Sequence, residues 1–298
     1  MAARLLRCLA IASAVVVSCG LVTAVPLEYQ SATDKTVYLS VLDQAGDPVK
    51  DLKTEEVKVR EDGTDREVVS VKPATEPLYV SLLVDTTPGA EPYVQDIRRA
   101  LAAFATRIAA GNPEARISVM EFGQAAVPLV PFTTDREKLD RELKRIYPKK
   151  RAQSVLLEAL HDAGNSLAKQ SSPRRAVVVF AVEPGQENTT VQPQAVQQAF
   201  QKSGAQLWVV SLRKQAGLTD NSQRDLVLNH VTKNTGGHRE NIAAQSAIET
   251  YLVKYADALT SQYAVTYKRP ASDKPQVVQI GVTRPVQLKL HASLFAPQ

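Results

Sequence analysis

Cysteine is scarce in this 298-residue sequence, and both cysteines, Cys8 and Cys19, lie close to the N-terminus. The rest of the chain therefore has no disulfide and no thiol for metal binding or nucleophilic catalysis. The sequence also lacks a Gly-x-Ser-x-Gly elbow, a glycine-rich phosphate loop and a His-Glu-x-x-His helix. Serine hydrolases, nucleotide-binding enzymes and zinc proteases need these motifs, so their absence disfavours all three classes.

The first 24 residues have the pattern of an export signal. Arg4 and Arg7 precede an apolar run over Leu9–Val17, and the small residues Val22–Ala24 offer a cleavage site. The run is too short to span a bilayer comfortably. An alternative is a lipoprotein signal, because Val-Val-Ser-Cys-Gly resembles a lipobox in which Cys19 is acylated. Apart from such a lipid anchor, we expect no membrane contact. The predicted location is the periplasm, the cell envelope or the medium.

The charge of the exported chain is small. Residues 1–24 contain two arginines and no acid, so their removal lowers the formal net charge from +5 to +3. A charge of this size gives no indication of a nucleic-acid partner.

Three regions follow the export signal. Residues 25–77 have the alternating pattern of short strands, with an Asp62-Gly63 hairpin signal, and we interpret them as a small β module. From 78 to 261, apolar strands alternate with helical stretches, which predicts an α/β domain with a doubly wound, mostly parallel sheet. The segment 262–298 returns to strands. Because domain termini are often close together, we expect it to pack with the N-terminal module.

Oxygen-bearing side chains follow the predicted buried strands. Asp85 and Thr87 follow the first strand of the α/β domain, Glu183 ends a later strand, and Ser154 precedes a helix. Ligands of open α/β sheets bind outside the carboxyl ends of the strands. Carboxylates and hydroxyls suit hard cations, so these residues predict a site for Mg²⁺, or alternatively for Mn²⁺ or Ca²⁺.

These segments resemble a known family. The stretch Leu82–Gly89 is similar to the Asp-x-Ser-x-Ser motif of von Willebrand factor A domains, and Ala152–Leu160 is similar to their second metal-site segment. Val177–Asn188 is similar to the strand and loop of the third motif. With the preceding β segment, the chain resembles a family of exported bacterial A-domain-related proteins. This resemblance implies a protein-binding domain in which an acidic side chain of the partner completes the coordination of a divalent cation.

The sequence departs from the family's metal motif. Gly89 stands where the second hydroxyl is expected, and Glu183, or a shifted Glu187, stands where an Asp is expected. Both changes weaken a Mg²⁺ site, because Mg²⁺ requires near-ideal octahedral geometry. We therefore predict a degenerate adhesion site in which Asp85, Thr87 and Ser154 hold the cation and Glu183 supports it from further away.

Two other interpretations of these residues stay open. Asp85 and Ser154 are residue types that cap helix N-termini, which needs no metal. A run of basic residues immediately before Ser154 favours an anionic ligand group over a cation, or else is a solvated helix end. Its members are Arg141, Lys144, Arg145, Lys149, Lys150 and Arg151.

Catalysis is the less favoured function. A phosphohydrolase of haloacid dehalogenase type also places an Asp after its first strand, but it expects a second Asp where this chain has Thr87. The four histidines are scattered along the chain. The sequence therefore predicts a non-catalytic protein that binds another protein, with a metal-free structural scaffold of the cell envelope as the alternative.

Overall fold

A computed structural model describes residues 32–183, 185, 187–213 and 223–297. The predicted export signal, with Cys8 and Cys19, lies outside these residues. The strands are β1 (Ala32–Leu42), β2 (Val57–Glu61), β3 (Thr64–Arg66), β4 (Val68–Pro73), β5 (Tyr79–Asp85), β6 (Arg116–Phe122), β7 (Ala126–Thr133), β8 (Arg175–Glu183), β9 (Gln206–Arg213), β10 (His238–Ile242), β11 (Tyr263–Pro270), β12 (Val278–Val282) and β13 (Lys289–Ala292). The helices are α1 (Val94–Gly111), α2 (Arg136–Arg145), α3 (Leu156–Leu167), α4 (Pro193–Ser203), α5 (Gln223–Thr235) and α6 (Ala247–Thr260).

The largest sheet has six strands in the order β10-β9-β8-β5-β6-β7. Its neighbouring strands are parallel except for β6 and β7, which pair antiparallel at one edge. Every residue of β5 is buried. Central strands of a parallel sheet are covered on both faces, which explains why this strand is almost continuously apolar.

Helices cover both faces of the six-stranded sheet. Side chains of α1, α2 and α6 pack on one face, against residues such as Leu82 and Val178. Side chains of α3, α4 and α5 pack on the other face, against residues such as Leu83 and Val179. Successive residues of a strand point to opposite faces, so each central strand contributes to both cores. The chain thus has the doubly wound, mostly parallel α/β fold that the sequence predicts.

Two smaller sheets combine strands from both ends of the described chain. One has the order β13-β1-β11-β4 and the other has the order β12-β2-β3. In the second sheet, β2 and β3 form a hairpin whose turn residues, Asp62 and Gly63, have φ of 44° and 83°. Positive φ at both positions is typical of the type I′ turn that an Asp-Gly pair favours. The predicted flanking β module from both chain ends is therefore present.

Among the residues that the structure describes, no helix combines the length and apolar composition that a bilayer crossing requires.

Candidate functional site at the carboxyl ends of the parallel strands

Asp85 joins the carboxyl ends of two neighbouring strands. It is the last residue of β5 and is 1% exposed. One carboxylate oxygen accepts a hydrogen bond from the Thr87 amide at 2.8 Å, and the other accepts one from the Val182 amide of β8 at 2.9 Å. Burial raises the pKa of Asp85, while the positive charge of Arg224 and these hydrogen bonds oppose the rise. Asp85 therefore does not cap α1, which begins at Val94.

Ser154 and Glu187 connect the start of α3 to the chain that follows β8. The Ser154 hydroxyl lies 3.2 Å from a carboxylate oxygen of Glu187, and the other oxygen of Glu187 accepts a hydrogen bond from the Leu157 amide at 3.0 Å. Burial raises the pKa of Glu187, and these hydrogen bonds counteract it. Glu187, and not Ser154, therefore accepts a hydrogen bond from the first turn of α3. The alternative in which Ser154 caps this helix is wrong.

Arg224 lies at the centre of the site, although no motif in the sequence marks it. It belongs to the first turn of α5 and is 1% exposed. Its Nη1 donates a hydrogen bond to the Ser154 hydroxyl at 2.8 Å and lies 3.7 Å from a Glu187 oxygen. Its Nη2 lies 3.3 Å from a Glu183 oxygen. The guanidinium therefore brings together two of the four predicted metal ligands.

A second arginine extends the charge network from Glu183. Arg239 of β10 lies 3.5 Å from Glu183 and 2.5 Å from Asp225, and both of its ion pairs are largely buried. Asp225 also pairs with Arg213 at 3.2 Å. Acids and arginines therefore alternate at this end of the sheet, as buried charges must do to avoid a large desolvation cost.

A divalent cation does not fit this arrangement of side chains. The structure places Asp85, Thr87, Ser154 and Glu183 at the same end of the sheet, as the sequence predicts. However, a guanidinium already pairs with Ser154 and Glu183, and a second cation beside it would be repelled strongly at low dielectric. Within the described ranges, no cluster of three or more His, Cys, Asp or Glu side chains has a metal-binding geometry.

The same geometry disfavours phosphoryl transfer by Asp85. A nucleophilic carboxylate must reach its substrate, whereas Asp85 is 1% exposed and both of its oxygens accept backbone hydrogen bonds. At this end of the sheet, the carboxylates and arginines hold one another in fixed positions.

An exposed basic surface borders the site. It lies on the loop 146–155 between α2 and α3, and we define the basic rim as Tyr147, Lys150 and Arg151. The Lys149 amide donates a hydrogen bond to the Thr86 carbonyl at 2.8 Å, and the Lys149 ammonium pairs with Glu121. These contacts fix the loop to the ends of β5 and β6. The three rim residues are exposed, Tyr147 by 58%.

Comparisons with known proteins give one matching family and several similar structures. Residues 81–183 match the von Willebrand factor type A domain family. No curated protein matches the chain by sequence. Proximal thread matrix protein 1 from the mussel byssus is 13% identical with a TM-score of 0.50, and the match covers 64% of this chain and 50% of that one.

Two bacterial structures are also similar to this chain. The protein BatB from Bacteroides thetaiotaomicron is 16% identical with a TM-score of 0.45, over 62% of this chain and 100% of that one. The vWF domain of the type V pili tip protein Mfa5 from Porphyromonas gingivalis is 10% identical with a TM-score of 0.46, over 62% of this chain and 96% of that one. At such identities the likeness concerns the fold alone.

Proposed function

We propose that this chain, in which residues 81–183 match the von Willebrand factor type A domain family, works as an exported protein-binding module whose contact surface is the basic rim. The observation that carries the proposal is a set of exposed cations without acids to pair with. Lys150 and Arg151 form no ion pair with any described residue, and neither does Lys144 on the last turn of α2. The predicted export signal at residues 1–24 supports a role in the cell envelope or outside the cell.

The rim suits an acidic partner segment that also carries an apolar residue. Lys150 and Arg151 supply positive charge, and Tyr147 supplies an exposed ring beside them. Tyrosine and arginine are enriched among residues that dominate binding energy in protein interfaces. The charges also speed the encounter with an acidic surface. Ordered backbone contacts hold the loop, so binding loses little conformational freedom.

In this proposal the partner's acidic side chain contacts the rim and no divalent cation bridges the two proteins. The metal-bridged mechanism needs a cation among Asp85, Ser154 and Glu183, where the Arg224 guanidinium lies. The proposed contact therefore survives EDTA and weakens as salt screens the charges.

Photo-crosslinking from the rim tests this function. One variant carries a photoreactive phenylalanine analogue in place of Tyr147, and crosslinking is done in the cells that produce the protein. A control variant carries the same analogue in place of Val69, an exposed apolar residue of β4. We expect a discrete adduct from position 147 that persists in EDTA and is lost in the charge-reversed pair Lys150→Glu and Arg151→Glu. An adduct from position 69 alone, or one that the charge reversal leaves unchanged, contradicts the proposal.

The alternative function is a structural scaffold of the cell envelope without a binding partner at the rim. Buried ion pairs hold the carboxyl ends of the parallel strands rigidly in place, and such rigidity suits a scaffold as well. The two functions differ in the crosslinking result, because a scaffold assembled through another face gives no adduct from position 147 that depends on Lys150 and Arg151.

A further inference from the structure

We propose that the Arg224 guanidinium is the resident cation of this domain and occupies the position of the divalent ion that the family's metal motif implies. Arg224 lies among the residues that the motif places around the ion. It donates a hydrogen bond to Ser154 and pairs with Glu183. Its positive charge also opposes the rise in the pKa of the buried Asp85. Glu187 adds a further acid at 3.7 Å.

Burial makes this arginine a fixed part of the site. Its side chain is 1% exposed, and those of Glu183 and Glu187 are 5% and 10% exposed. A buried charge is tolerated only when opposite charges surround it. The three carboxylates of Asp85, Glu183 and Glu187 supply these charges, so the acids that would attract a metal ion are balanced from within the chain.

The lack of space for a side chain at position 185 supports the same assignment independently. A β-carbon at position 185 would lie 2.0 Å from Nη1 and 2.7 Å from Cζ of Arg224. The absence of a side chain at 185 therefore serves to leave space for the guanidinium.

The exchange of a metal ion for a guanidinium has a chemical consequence. A metal ion has open coordination positions that an acidic side chain of a partner enters. The Arg224 guanidinium is buried instead, so a partner cannot reach its Nε and Nη2, which make no hydrogen bond among the described residues. The Arg224 site therefore stabilises the ends of β8, α3 and α5 and takes no exogenous ligand. Arg224 holds this position whether or not the basic rim binds a partner.

Mn²⁺ binding to the purified full chain tests the assignment. Free Mn²⁺ is measured by electron paramagnetic resonance for the wild type, for Arg224→Ala and for the control Arg174→Ala. Arg174 is an equally buried arginine, but it donates hydrogen bonds to the carbonyls of Ala74 and Leu259. It forms no ion pair within 4 Å in the described chain, and the acid whose charge acts on it is Glu76, which lies before the start of β5, whereas the site lies at the end of that strand.

We expect no Mn²⁺ binding by the wild type and by Arg174→Ala, and gain of a single Mn²⁺ site in Arg224→Ala that disappears when Asp85→Asn is added. Mn²⁺ should also raise the unfolding temperature of Arg224→Ala and leave the wild type unchanged. Mn²⁺ binding by the wild type that Asp85→Asn abolishes overturns the assignment, as does a folded Arg224→Ala that binds none. If Arg224→Ala does not fold, the variant Arg224→Gln takes its place. If neither variant folds, Mn²⁺ binding by the wild type, or its absence, decides whether the assignment holds.

Discussion

Two glycines at the carboxyl edge of the central sheet differ in the space around them. A β-carbon at Gly185 would meet the Arg224 guanidinium at 2.0 Å, whereas one at Gly89 would lie 3.5 Å from the nearest atom, a methyl of Val182. Gly89 does not have a positive φ, so alanine is compatible with its backbone. Alanine at the two positions therefore compares a site without space for a methyl group with a site that has this space.

Gly185→Ala is expected to lower the free energy of unfolding by about 1–3 kcal/mol, the usual cost of overpacking a buried site. Gly89→Ala should change it by less than about 1 kcal/mol, because alanine there restricts the unfolded chain without a clash. Urea denaturation of both variants measures the difference. Equal losses in the two variants would mean that Gly185 does not make room for Arg224.

The sequence marks the residues around the site but not the arginine at its centre. Apolar runs reveal where strands end, so they predict Asp85, Ser154 and Glu183 at one end of the sheet, and the structure places them there. Arg224 lies 70 residues from Ser154 along the chain, and nothing in the spacing links the two. One signal was available: a positive charge in the first turn of a helix is unfavourable for the helix dipole, so it suggests a nearby acid.

At the scale of elements, a buried ion pair connects β2 with β11 in the flanking β module. Glu61 is 1% exposed, and both Nε and Nη2 of Arg269 bind its carboxylate. The Tyr267 hydroxyl also donates a hydrogen bond to Glu61. Burial opposes the charge on Glu61, but Arg269 and Tyr267 outweigh it and lower the pKa of Glu61.

Glu61→Ala is therefore expected to cost about 3–5 kcal/mol of unfolding free energy, because it leaves the buried Arg269 charge without an acid to pair with. The control Glu55→Ala removes an exposed acid just before the same strand and should change stability by less than about 0.5 kcal/mol. Chemical denaturation followed by circular dichroism compares the two. A Glu61→Ala variant as stable as the control contradicts this account of the β module.

Elements with strong apolar periodicity were predicted well, and weakly apolar ones were not. The apolar pattern of the sequence predicts a strand over 116–122 and a helix over 193–203, and β6 and α4 have these bounds. The strand β10, with the sequence His-Arg-Glu-Asn-Ile, was missed because it lies at an edge of the sheet and contributes only Ile242 to the core. The alternating pattern over 286–295 predicts a longer strand than β13, which covers Lys289–Ala292. All four residues of β13 pair with β1, and the sequence pattern does not show where this pairing stops.

At the scale of the whole molecule, His291 connects the β module to the central sheet. Its ring in β13 packs on Trp208 of β9 with 4.9 Å between the ring centroids, and its Nδ1 lies 3.2 Å from the Gly237 carbonyl. Burial lowers the pKa of His291 to about 4, and the nearby positive charges of His238 and Lys289 lower it further, against hydrogen bonds to the backbone.

This contact predicts a dependence of stability on pH. An unfolded histidine takes up a proton near pH 6.5, whereas His291 in the folded chain does so only near pH 4. The contribution of neutral His291 to stability is therefore full above the unfolded pKa and is lost as the pH falls from about 6.5 to about 4. The loss should reach roughly 3 kcal/mol.

The comparison of the wild type with His291→Phe isolates this contribution. The unfolding free energy of the variant should fall less steeply over the same pH range, while the exposed control His230→Gln should follow the wild type. Parallel curves of unfolding free energy against pH for the wild type and His291→Phe would show that protonation of this histidine does not cause the loss of stability.

The claim on which the functional proposal depends is that Arg224 supplies the positive charge at the strand ends. A crystal structure from crystals soaked in MnCl₂, with data collected at the manganese absorption edge, tests it most directly. We predict density for the guanidinium between Ser154 and Glu183 and no anomalous peak beside Asp85. An anomalous peak within coordination distance of Asp85 and Ser154, with Arg224 displaced, would contradict it and restore a metal-dependent adhesion site.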